Sequence, residues 1–215
     1  GYTGPDGGSF TPCGANTFKA DTGATACTAC PDNSATADWW YDLTGSTTSN
    51  SCVADKGYTG TDGSTPAACL SDTFKDTTGS KEACQPCPAH SGTVGTTGST
   101  TSTACVADNG FTGANGSTPA ACLADTFKDT TGAAACQPCP AHSGTGTATG
   151  TTQKSGCLAD SGYSGSGEDV FPCVAGTYKD ISTAGHYVPS QEQLAGWTDN
   201  CGNTGVSCKE VGTYT

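Results

Sequence analysis

GYTGTDGSTPAACLSDTFKDTTG at residues 57–79 returns as GFTGANGSTPAACLADTFKDTTG at residues 110–132, and CQPCPAHSGT stands at both 84–93 and 136–145. Working outward from this pair, fifteen cysteines fall on one grid: Cys13, Cys27, Cys30 and Cys52, then Cys69, Cys84, Cys87 and Cys105, then Cys122, Cys136, Cys139 and Cys157, with Cys173, Cys201 and Cys208 closing the series. Self-similarity at a period of this size marks a tandem array of one small module, so fold and function are properties of the array.

Composition says why the cysteines are bonded. Leu, Ile, Val and Phe number 20 of 215 residues, far below the roughly 20% at which a charged chain folds on hydrophobic burial. A module of this size is marginal even with a full core, and such modules outside cells are stapled. A disulfide closing a loop of about 15 residues contributes roughly 3 kcal/mol in the chain-entropy model, so two per module supply much of what the core lacks. The implied compartment is oxidising and extracellular. Zinc is the competing use of a Cys-x2-Cys pair, but each repeat has only one such pair and zinc needs four ligands.

Four cysteines allow three connectivities. The first and second of each repeat flank a Thr-Phe-Lys or Thr-Tyr-Lys triplet and a Gly-containing turn, which reads as a short hairpin that brings its own ends together. The third and fourth flank a Ser/Thr/Gly-rich loop with no other means of closing. The expected pairs are therefore 13 with 27, 30 with 52, 69 with 84, 87 with 105, 122 with 136, 139 with 157 and 173 with 201. Cys208 precedes Lys-Glu-Val-Gly-Thr-Tyr and reads as the first cysteine of a further unit, and Gly1 falls in mid-unit, so the expected organisation is a segment of a longer array. The repeats run over 1–51 (N-terminally incomplete), 52–104, 105–156 and 157–215, the last divergent and including the start of a further unit.

The sequence GYTGPDGG, a cysteine, GTYK or TFK, a Gly-containing turn, Cys-x2-Cys-Pro, a Ser/Thr-rich stretch and a final cysteine resembles the ephrin-receptor-like and tumour-necrosis-factor-receptor-like cysteine-rich repeats of protist and algal surface proteins, over about residues 1–181. The resemblance implies a large surface or secreted protein. Relatives often carry two further cysteines where this chain has Ala54 and Pro66, Ala107 and Pro119, Ala159 and Val170. Both are missing together each time, as expected if they bond each other in relatives, so the GYTG loop needs another means of support.

Eight lysines, no arginine and twenty acidic residues give a net charge of −12, which argues against nucleic acid and anionic lipid as partners. Asp55, Asp62, Asp108, Asp160 and Asp169 recur around the GYTG loops, but no DxDxDG loop is present, and they read as turn aspartates in preference to calcium ligands. No metal or cofactor is expected. The first residues carry no basic region or apolar run, and no stretch approaches the roughly 18 apolar residues of a membrane-spanning helix, so direct membrane insertion is not expected.

Threonine is the second compositional signal: 38 Thr and 20 Ser cluster in the third-to-fourth cysteine loops. Such tracts are natural O-glycan acceptors in a secreted chain, with Thr47, Thr48, Thr100, Thr101, Thr151 and Thr152 the expected sites. Asn115-Gly116-Ser117 is a full N-glycan sequon, and Asn50-Ser51-Cys52 a rarer form compromised if Cys52 is bonded.

No catalytic residue is expected. His90 and His142 occupy equivalent places a full repeat apart, His186 stands alone, and no nucleophile elbow, zincin helix or phosphate loop is present. Two segments break the repeat. Residues 37–43, ADWWYDL, hold Trp39, Trp40 and Tyr41, either a local mini-core or an aromatic anchor for sugar or a neighbouring subunit. Residues 182–200 insert before Cys201 and include SQEQLAGW, which reads as one short helix capped by Ser190 and carrying Trp197. The expected fold is small and disulfide-rich: tandem short-β cysteine-rich modules forming an elongated rod. The expected role is an extracellular structural glycoprotein, a surface coat or filament whose partner is copies of itself through Trp39, Trp40, Tyr41 and Trp197. A receptor ectodomain or adhesin presenting a ligand-binding face is the alternative.

Overall fold

Gly, Pro, Asn and Asp recur so often that no apolar run is long enough for an extended strand or helix, and backbone pairing is local. The computed structural model describes residues 1–36, 43–79, 82–174, 177–178 and 209–210. The chain divides into two compact units, Gly1–Val106 with Asn115–Ser117, and Ala107–Ala114 with Thr118–Thr215.

In the first unit the regular structure is a series of antiparallel hairpins: Tyr2–Thr3 with Thr11–Pro12, Thr17–Phe18 with Thr28–Ala29, Ser34–Thr36 with Cys52–Ala54, Tyr58–Thr59 with Ala67–Ala68, and Thr73–Phe74 with Gln85–Pro86. The second unit repeats the scheme with Phe111–Thr112 on Ala120–Ala121 and Thr126–Phe127 on Gln137–Pro138. It ends in a four-stranded sheet ordered Ser143–Gly144, Leu158–Ala159, Tyr163–Ser166, Asp169–Pro172. The helical content among the described residues is three single 3-10 turns, Ser49–Ser51, Ser102–Ala104 and Lys154–Gly156, and none of it is long and apolar enough to cross a membrane.

The turns follow their sequences. Thr61-Asp62-Gly63-Ser64 is closed by the Ser64 N–H on the Thr61 carbonyl at 3.0 Å, with Gly63 at φ +80°, the geometry a type II turn demands of its third residue. Asp55, Asp108 and Asp160 each begin a turn closed by the N–H of Tyr58, Phe111 or Tyr163 at 3.1 Å, the first position that aspartate favours.

Six disulfides join Cys13 to Cys27, Cys30 to Cys52, Cys69 to Cys84, Cys87 to Cys105, Cys122 to Cys136 and Cys139 to Cys157. First pairs with second and third with fourth, as the spacing predicts. The returning strand of each Thr-Phe-Lys hairpin lies just beyond the second cysteine, so Phe18, Phe74 and Phe127 pair with Thr28, Gln85 and Gln137. The expected partner of Cys173, Cys201, lies outside the described residues. Cys173 is itself disulfide-bonded. Tyr178 pairs with Lys209 in the register of those phenylalanines. Lys209 follows Cys208 in sequence as Thr28 follows Cys27, so this register makes Cys208 a rival to Cys201 and competes with its reading as the opening of a further unit.

The core is built from what the composition offers. Cys13, Cys52, Cys69, Cys105, Cys122 and Cys157 are at most 1% exposed, and beside them lie Ala54, Ala107, Ala159, Phe74 and Phe127. Lys19, Lys75 and Lys128 complete it, at 4%, 1% and 2% exposed. The GYTG loop, which carries no cysteine of its own, is tied down by a backbone bond: the N–H groups of Gly63, Gly116 and Gly167 donate to the carbonyls of Cys52, Cys105 and Cys157 at 2.8, 2.8 and 2.9 Å. This anchors each loop to the half-cystine preceding it.

Candidate functional surface

The Thr-Phe-Lys triplet contributes an apolar ring and a four-carbon lysine stem to the interior of a module too small for a larger core. The buried ammonium is satisfied by backbone carbonyls. Lys128 Nζ donates to Gly132 O at 2.7 Å and to Asp108 O at 3.4 Å, Lys75 Nζ to Asp55 O at 3.4 Å, and Lys19 Nζ to Gly23 O. Burial pushes the Lys75 and Lys128 ammonium groups below their ordinary range, against the opposing pull of Glu82, Asp55 and Asp62 on Lys75 and of Asp108 on Lys128. The main chain of each lysine is held too: its N–H donates to Ser46, Ser99 or Thr151 at 3.0 Å, and its carbonyl accepts from the nitrogen of Gly1, Gly57 or Gly110.

A second recurring device joins the two disulfide loops of a repeat. Asp72 N–H donates to Thr93 Oγ1 at 2.9 Å and Thr93 N–H donates to Asp72 Oδ1 at 2.9 Å. Asp125 and Thr145 repeat this at 2.8 and 3.0 Å, and Asn16 with Thr36 at 2.7 and 3.2 Å. Each of Asn16, Asp72 and Asp125 sits near φ +61°, a conformation that Asn and Asp tolerate better than other side chains. The clasp explains a glycine. A Cβ on Gly92 or Gly144 would lie 2.5 Å from the clasping carboxylate oxygen, and the repeat that carries Ala35 there has Asn16 as its partner.

Of the residues expected to carry function, Trp39, Trp40, Tyr41 and Trp197 lie outside the described residues, as does His186. His142 stacks on Tyr163 with ring centroids 4.0 Å apart and planes 6° apart. Among the described residues no group of three or more His, Cys, Asp or Glu could hold a metal ion. The Glu168 carboxyl is held below its ordinary range by the hydrogen bond from the Lys154 ammonium, across an exposed ion pair. Asn115, Thr47, Thr48, Thr100, Thr101 and Thr152 are exposed, whereas Thr151 is half-buried.

Exposed aliphatics recur at one place in the repeat, directly after the first cysteine: Leu70 and Leu123 are each 75% exposed and Val174 72%. Leu70 borders an apolar recess of about 400 Å³ shared with Thr59, Ala67, Ala68 and Thr73. The buried lysines and the Asp–Thr clasp had no signal in residue type alone, since lysine and aspartate are ordinarily on the surface. Their recurrence at one place in the Thr-Phe-Lys and His-Ser-Gly-Thr motifs was the available signal. No protein-family model matches this chain, and it has no significant match among curated proteins.

Proposed function

We propose that this chain is an extracellular structural glycoprotein, an elongated disulfide-stapled array that assembles with copies of itself into a surface coat or filament. The observation that carries this reading is the recurrence, repeat after repeat, of one covalently closed unit: two disulfides, a buried lysine and a side-chain clasp. Cross-links that close every unit separately make an array durable outside a cell, and modules in tandem permit head-to-tail contacts, which generate open helical polymers when the rotation does not close a ring. The aromatic run at residues 39–41 and Trp197 supply the contacts, because aromatics dominate the buried centres of interfaces.

Sedimentation of the native protein over a concentration series tests this. Assembly that weakens in Trp39→Ala/Trp40→Ala, with disulfides and circular dichroism unchanged, supports it. A monomer at every concentration, with the same profile in the double variant, contradicts it. The receptor or adhesin reading draws on a separate observation, the recurring exposed aliphatic and the recess beside Leu70. A monomeric protein that binds cells would favour that reading.

A further inference from the structure

One stretch follows the loop glycine in each of three repeats: Gly45-Ser46-Thr47-Thr48, Gly98-Ser99-Thr100-Thr101 and Gly150-Thr151-Thr152-Gln153. Its first hydroxyl residue belongs to the interior. Ser46 and Ser99 are 6% and 7% exposed, and Ser46, Ser99 and Thr151 bridge to Phe18, Phe74 and Phe127 while accepting the lysine N–H. The next residue is the opposite. Thr47, Thr100 and Thr152 are exposed, and their hydroxyls make no hydrogen bond among the described residues. Their methyls lie over glycines instead: Cγ2 is 3.0, 3.1 and 3.0 Å from where a Cβ on Gly1, Gly57 and Gly110 would stand.

Several other threonine hydroxyls are engaged. Those of Thr36, Thr93 and Thr145 complete the clasp and donate to Leu43, Thr96 and Ala148 carbonyls, and those of Thr17, Thr73 and Thr126 donate to Gly14, Leu70 and Leu123 carbonyls. Thr101 shares its hydroxyl with Thr103 at 2.8 Å. Thr48 is exposed, extended at φ −137° and ψ 153°, and makes no cap bond.

We propose that Thr47, Thr100 and Thr152 are O-glycan acceptors, one per repeat, with Thr48 a further acceptor in the first. The proposal rests on the glycoprotein reading above and says which hydroxyls that reading requires. In the transfer, the Oγ1 of each threonine bonds to the anomeric carbon of a nucleotide-activated sugar, the nucleoside diphosphate leaves, and the hydroxyl proton passes to the transferase's base. With the methyl turned to a glycine and the hydroxyl unengaged, the sugar can be added without breaking an internal bond.

Electron-dissociation mass spectrometry of glycopeptides from the native protein locates the sugars. The expected map has sugar on Thr47, Thr48, Thr100 and Thr152, and none on Ser46, Ser99, Thr93 or Thr145. Thr100→Val, which keeps a methyl against Gly57, lowers the intact mass by one glycan and leaves the disulfides formed. Sugar confined to other residues overturns this assignment and leaves the glycoprotein reading standing. A mass equal to that of the bare polypeptide, 21.2 kDa over these 215 residues, overturns both. A phosphate at Thr100 in place of sugar also overturns the assignment.

Discussion

Lys128 shows how a chain with little apolar matter builds an interior. Its stem is buried, the whole residue being 2% exposed, and its ammonium is held by the Gly132 and Asp108 carbonyls. The charged form bears the cost of burial, so the folded-state pKa lies below the unfolded value of 10.5. The folded state then releases its proton first as pH rises. The burial penalty is present at neutral pH and is lost as pH climbs through the lowered folded pKa towards 10.5, so this residue's contribution to stability grows over that window. Urea midpoints taken from pH 7 to 10.5 with an alkylating agent present should therefore rise for the parent relative to Lys128→Met, which has nothing to titrate. A constant difference between the two would contradict it. The Asp125–Thr145 clasp gives a second prediction at this scale. Gly144→Ala should cost about 1–2 kcal/mol by pushing a methyl at the Asp125 carboxylate. Adding Asp125→Asn recreates the Asn16–Ala35 combination and should return about 0.5–1 kcal/mol, read as coupling in a double-mutant cycle of urea melts. Strict additivity would show that the pair is not coupled.

Hairpins this short do not stand alone in water: the Thr-Phe-Lys hairpins are closed by disulfides, and the GYTG hairpins, which lie between disulfide loops, are tied by backbone bonds to Cys52, Cys105 and Cys157. Cysteine spacing made these elements legible, because loops of 14 to 22 residues around turn signals have few ways to close. The pairings of six disulfides followed from it. The anchoring of the GYTG loop on the carbonyls of Cys52, Cys105 and Cys157 was not legible, since it is a backbone bond that any residue could make. Nor were the interior lysines, for lysine is buried only where carbonyls happen to converge on its ammonium. The register of Tyr178 on Lys209 bears on the last repeat. Non-reducing peptide mapping should join Cys173 to Cys208, the cysteine that immediately precedes the paired strand, and a peptide joining Cys173 to Cys201 would restore the pairing that spacing alone suggests. Opening a single loop tests how much each staple contributes. Cys30→Ala/Cys52→Ala removes a closure of 22 residues and should lower stability by about 3 kcal/mol, measured in urea.

At the scale of the whole molecule, the sequence made the repeat, the disulfide framework and the acidic balance plain, while the surfaces proposed to join one chain to another fall in residues 37–43 and 182–200, which depart from the repeat and gain nothing from comparison with it. A structural role asks little of any one repeat beyond durability, and in the first three repeats the first and fourth half-cystines are buried while the smallest residues line the places where backbones meet. Gly57 and Gly110, at φ +79°, would drive any Cβ into the Gly98 and Gly150 carbonyls, so the turn that opens each repeat is fixed to the loop that bears Thr100 and Thr152. Electron microscopy of the native material, prepared without reductant, tests the central claim most directly. The account predicts a regular polymer, a sheet or filament with a constant subunit repeat that persists in denaturant-free buffer and disperses when disulfides are reduced. A field of separate, unassembled particles at the same concentration would contradict it.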